Sequence, residues 1–111
     1  MKTDVFELGF LFDSYGATLT EKQQICFDLH YNQDLSLSEI ASELGISRQG
    51  VHDTLARTES ALRTMESQLG CVAQAQRLRE AASLLTALAD EIADPNAAKR
   101  IRDAVRMIEK E

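Results

Sequence analysis

The sequence has little or no tryptophan, proline, glycine or cysteine and no long apolar run. It has no tryptophan, one proline, five glycines and two cysteines among 111 residues. That scarcity, together with many Ala, Leu, Glu and Gln, favours an all-α fold over one built on strands. Cys26 and Cys71 have no ligand-like spacing, which sets aside a disulfide framework or a zinc site. Each falls on an apolar helix face, so both are expected to be core residues. No apolar run approaches membrane-spanning length, and the opening MKTDVFEL is too acidic for a signal peptide. A cytoplasmic protein without membrane contact is expected. Positive charge is also lacking: 12 basic residues stand against 18 acidic ones, a net charge of −6. Strong non-specific binding to DNA is disfavoured, because phosphate neutralisation supplies most of that affinity. The acidity lies at the front, where Lys2 and Lys22 face Asp4, Glu7, Asp13, Glu21, Asp28 and Asp34; from Gln74 onward seven basic residues balance seven acidic ones. There is no paired nucleophile and base, Gly-rich phosphate loop, nucleotide fingerprint or metal-binding cluster. No enzyme, cofactor or metal is expected.

What is present centres on SLSEIASELGISRQGVHDTLARTESAL, Ser36 to Leu62, which reads as a helix-turn-helix. Ser36 and Glu39 form a capping box at the start of the first helix. Leu37, Ile40, Ala41 and Leu44 recur on one face, and Gly45 closes the helix in the left-handed conformation. Ile46 plugs the corner, and Ser47 caps a second helix that buries Val51, Leu55, Thr58 and Leu62. Burying those residues turns Arg48, Gln49, His52, Asp53, Ala56 and Arg57 outward, where a recognition helix presents side chains to base edges. Arg48 could pair with guanine and Gln49 with adenine. Two features cut against that use. Asp53 would repel phosphate, and Gly50 weakens the helix by about 1 kcal/mol relative to Ala. The alternative is a solvated helix face.

Around this motif the chain reads as helices throughout. The first, from Asp4 to about Tyr15, carries a stripe of Leu8, Leu11, Phe12 and Tyr15 that Val5, Phe6 and Phe10 widen, so it needs more than one packing partner. Gly16 ends it. Thr20 and Gln23 form a second capping box; Ile25, Cys26 and Leu29 are expected to line the buried face of that helix, flanked by Phe27 and Tyr31. Asn32 to Asp34 reads as a turn, and His30 lies near the helix's carbonyl end. After a break at Gly70, a long helix runs to about Ala93 with a heptad seam of Cys71, Ala75, Leu78, Ala82, Leu85, Ala89 and Ile92. A second seam of Leu78, Ala81, Leu85, Leu88 and Ile92 lies beside it. The small front domain has limited surface to cover both seams, so a homodimer is expected. Asp94 and Pro95 stop this helix and start a last one, burying Ile101, Val105 and Ile108 beside Ala98 and Ala104. Lys99, Arg102, Arg106 and Lys110 fall within about a quadrant of its opposite side. That stripe either holds phosphate or is a solvated face. The expected organisation is a helix-turn-helix domain over 1–69 and a helical extension for packing or dimerisation over 70–111.

The pattern SLSEIASELGISRQGVHDTLAR resembles region 4 of bacterial sigma factors. With the upstream LFDSYGATLTEKQQICFDLHYNQDL, the chain is similar to the YlxM-like family of small bacterial proteins, accessory factors of the signal recognition particle pathway. The resemblance is close over about Phe10 to Arg57. It implies a sigma-region-4-like helical fold, no enzymatic activity, a cytoplasmic location and a regulatory role, with Arg48, Gln49, His52, Asp53 and Arg57 as nucleic-acid-binding residues. Asp53, Gly50 and Thr54 depart from the sigma pattern, Thr54 at a position often filled by an aliphatic residue. Three functions therefore stand at this point. One is binding of particle RNA, particle protein or other nucleic acid in that pathway. The second is transcriptional regulation on duplex DNA by paired recognition helices about 34 Å apart. The third is a protein-interaction module.

Overall fold

The structure is a computed structural model that describes residues 5–109. Among them are six α-helices and no strand: α1 Val5–Tyr15, α2 Glu21–Phe27, α3 Leu37–Leu44, α4 Arg48–Leu69, α5 Cys71–Glu91 and α6 Pro95–Glu109. The fold is all-α, as the composition requires. It falls into two units, one ending at Gly70 and one beginning at Cys71.

In the first unit, α4 is the element that α1, α2 and α3 all pack against. Both capping boxes form: Thr20 accepts from the Gln23 amide and Ser36 from the Glu39 amide, while each partner side chain returns to the cap's own backbone. Gly45 and Gly70 close α3 and α4 with φ of 68° and 64°. A β-carbon at Gly45 would meet nothing within 4 Å, so torsion alone demands glycine there. Val51, Leu55, Thr58 and Leu62 are buried along α4. Val51 and Leu55 join Cys26, Leu29, Ile40 and Ala41 in one apolar cluster, with Leu37, Leu44 and Ile46 packed against it. Towards the other end of α4, the Tyr15 hydroxyl donates to Glu66 at 2.6 Å and Arg63 pairs with Glu7 at 3.0 Å.

The structure corrects the expected face of the second helix. Ile25 is 39% exposed whereas Phe27 is 1% exposed. The cause is Phe12, whose ring stacks on Phe27 with centroids 4.3 Å apart and planes 3° from parallel. Tyr31 then leans on Phe27 at 4.6 Å, and His30 meets Tyr31 nearly at right angles. Phe27 thus takes the place expected of Ile25, while Cys26 and Leu29 are buried as expected. The helix also runs on past α2 as a π-helical turn, Asp28–Asn32, where a bare turn was expected from Asn32. Such turns are rare and concentrate at functional sites. Asp34 follows at a φ of 62°, which an aspartate tolerates better than most residues.

In the second unit α5 and α6 pack on each other. Ala82 and Ala89 are buried from α5, Ala98 and Val105 from α6, and Arg102 reaches across to Asp90 at 2.7 Å. Several seam residues are not covered: Leu78, Leu88 and Ile92 are all exposed, as is Leu84 outside the seams. Two expectations fail here. Cys71 is exposed rather than core, because it stands at the first residue of α5, and Ala104 lies on the exposed side of α6.

Candidate nucleic-acid interface

The candidate site is the outer side of the first half of α4. Ser47 starts the helix by accepting from the Gly50 amide at 2.9 Å, which fixes where the first turn points. At about 100° per residue, the buried side chains Thr58, Val51, Leu62 and Leu55 cluster in one sector. Opposite them lie Gln49, Asp53 and Ala56, with Arg48 and Arg57 half a turn apart on the two flanks. Arg48, Gln49, His52 and Arg57 are exposed, and Asp53 is half-buried. The five candidate residues therefore do share one accessible surface, with the cations at its edges and a carboxylate near its middle.

That carboxylate is held in place. Gln49 Nε2 donates to Asp53 Oδ1 at 2.9 Å, and His52 Nδ1 lies 3.4 Å from the same oxygen. These hydrogen bonds, the one from Gln49 first, keep the Asp53 carboxyl below its ordinary range, so it stays ionised at neutral pH. A phosphate approaching the middle of this face meets a fixed negative charge. A base edge that donates, such as the amino group of cytosine, meets an acceptor. The hydroxyl at the Thr54 departure is satisfied: it donates to the Gly50 carbonyl at 2.8 Å, and that of Thr58 donates to the Thr54 carbonyl at 2.7 Å. Back-bonding of this kind lets a buried threonine stand where an aliphatic side chain would pack.

The chain belongs to the UPF0122 family. The family model, described as "putative helix-turn-helix protein, YlxM / p13 like", matches residues 2–105. A UPF0122 protein of Symbiobacterium thermophilum is 46% identical over 104 residues, covering 93% of this chain and 95% of its own. One from Thermoanaerobacter sp. strain X514 is 40% identical, covering 98% and 97%, and one from Shouchella clausii 37% identical, covering 99% and 98%. The UPF0122 match agrees with the helix-turn-helix that α3, Gly45 and α4 form.

The basic stripe of α6 is a weaker candidate. Lys99 lies 3.5 Å from Asp103, Arg106 lies 2.8 Å from the same carboxylate, and Arg102 is paired with Asp90. Three cations against two carboxylates leave one net positive charge, and Lys110 lies outside the described residues. Among the described residues no group of three His, Cys, Asp or Glu side chains could hold a metal, and no helix is long and apolar enough to cross a membrane.

One contact beside this face was not visible in the sequence. The Tyr31 hydroxyl donates a hydrogen bond to Glu59 Oε1, across 28 positions of chain. Burial first, and then this bond, pushes the Tyr31 phenol well above its ordinary value. Only the tertiary fold brings the two together, since Tyr31 lies ahead of the helix-turn-helix stretch that holds Glu59.

Proposed function

We propose that this protein binds nucleic acid through the exposed side of α4 and serves as a regulatory accessory factor of the signal recognition particle pathway in the cytoplasm. The observation that carries the binding role is the division of α4: Val51 and Leu55 are buried while Arg48, Gln49, His52 and Arg57, in the turns that follow the Ser47 cap, are exposed. The resemblance to YlxM-like proteins and to sigma region 4 supports the pathway and the face. Particle RNA is favoured over long duplex DNA as the ligand. The net charge of −6 and the pinned Asp53 both oppose the dense phosphate contacts that duplex binding requires. A regulator reading duplex DNA is the lesser alternative.

The protein acts as a homodimer in this reading. Its support is the uncovered side of α5, where Leu84 is 67% and Leu88 51% exposed; replacing both with Glu is expected to give a monomer of unchanged helicity in sedimentation. The binding role is tested by titrating the intact protein with particle RNA, particle protein and duplex DNA at several salt concentrations. Binding to particle RNA with a shallow salt slope is expected. No binding to any of the three at low salt would remove the proposal.

A further inference from the structure

Beside the exposed face of α4 lies a cleft of about 300 Å³ whose lining includes His30, Tyr31, Leu37, His52, Leu55 and Glu59. It adjoins a second cleft of about 260 Å³ that shares Leu37 and His52 and reaches Arg48 and Gln49. The larger cleft combines two leucines, three aromatic or imidazole rings and one carboxylate. Its parts are fixed. Phe27 and His30 both pack on the Tyr31 ring, and Tyr31 in turn holds Glu59 through Oε1. His30 Nδ1 donates to the Leu35 carbonyl at 2.9 Å, which sets its ring. Among the described residues, Glu59 Oε2 takes no hydrogen bond.

We infer that this cleft holds an unpaired guanine base of an RNA strand. Rings and leucines suit the faces of a flat heterocycle, and stacking on aromatic side chains is how splayed-out bases are bound. The carboxylate selects among bases. An ionised Glu only accepts hydrogen bonds, and guanine alone presents two adjacent donors, N1–H and the 2-amino group, on one edge. Adenine and cytosine set a ring acceptor beside their amino group, and uracil flanks its single N–H with two carbonyls, so each would aim a lone pair at Glu59. In a duplex that edge of guanine is taken by cytosine, so the base must be unpaired. Arg48, in the adjoining cleft, lies where a flanking phosphate would find positive charge. The inference rests on the nucleic-acid role of α4 and names what that face would read.

The test is fluorescence anisotropy on the full chain with three RNA hairpins, one carrying a single bulged guanine, one a bulged adenine and one fully paired, with guanosine monophosphate as competitor. The bulged guanine is expected to bind about tenfold more tightly than the other two. Guanosine monophosphate should compete only at about a hundredfold higher concentration, for want of neighbouring phosphates. Glu59→Gln should reduce the guanine-to-adenine ratio to within about twofold. Tyr31→Phe, which keeps the ring and frees the carboxylate, should lower the same ratio and serves if the first variant does not fold. Equal binding of the two bulges, or a ratio unmoved in a folded variant, would overturn the cleft's role and leave the broader function standing. Displacement by the free nucleotide at the hairpin's own concentration would overturn the assignment to a strand. Failure of all three hairpins to bind would overturn the cleft's role, the broader function being decided by the titration with particle RNA, particle protein and duplex DNA.

Discussion

Replacing Gly45 with alanine isolates the energetic demand of the corner between α3 and α4. At a φ of 68°, with nothing within 4 Å of a β-carbon built there, the substitution adds no clash and removes no contact. What remains is the torsional cost of holding an L-residue in the left-handed region, roughly 1–2 kcal/mol. The unit ending at Gly70 should hold roughly 4–10 kcal/mol in all, at typical stability per residue. The variant thus spends a sizeable share of it and should melt about 4–16 °C lower in circular dichroism at 222 nm. Gly45→Asn should cost less than half as much, since asparagine enters that region readily. The two variants separate torsion from every other explanation. An alanine variant within about 0.5 kcal/mol of the parent in urea titration, or an asparagine variant as unstable as the alanine one, would refute the reasoning.

Three further outcomes follow from the site and the core. Arg48→Ala and Arg57→Ala should each lower the slope of log affinity against log salt by about 0.7 if each arginine meets one phosphate of a single strand, and leave melting unchanged; an unaltered slope in both would remove those contacts. The carboxyls of Asp28, Glu39 and Asp53 are all held below their ordinary values by hydrogen bonds, Glu39 by the Ser36 backbone first. Depressed values mean stabilisation that is present at neutral pH and lost as pH falls below about 4. Glu39→Gln, with the same residue that completes the box of α2 in its place, should remove part of that acid sensitivity and give up at pH 7 the small contribution that the charge makes there. Phe27→Ala should cost about 3–5 kcal/mol, since it empties a buried site and unstacks Phe12, whereas Ile25→Ala should cost under about 1 kcal/mol. Chemical denaturation of the pair checks the reassigned face.

Local chemistry explains which parts of this structure can be read from residues alone. Ser36 with Glu39, Thr20 with Gln23, Gly45 and Gly70 act within a few positions of themselves, and the structure places each as its neighbours demand. Periodicity served equally well in α4, where one uninterrupted helix carries Val51, Leu55, Thr58 and Leu62. It failed where a distant side chain decided the matter. Ile25 and Phe27 are both apolar, and the choice between them was made by Phe12, fifteen residues earlier. Counting at 100° per residue also stops working at Asp28–Asn32, where the turn is wider. In α5 the pattern marked apolar positions without saying which would meet α6, so Ala82 and Ala89 are buried while Leu78 is not. The candidate interface was legible as a set of outward positions on α4. The bonds that pin Asp53, and the contact of Tyr31 with Glu59, were not, because they depend on rotamers and on chain far away.

Helix α4 is shared property. Its early turns close over Cys26, Ile40 and Ala41, while its later ones carry the links to Glu7 and Tyr15. A rigid rod gripped at two places reports strain from one grip to the other. A molecule landing near Arg48 should therefore slow amide exchange as far away as Met65, and loosening α1 should speed it back at His52.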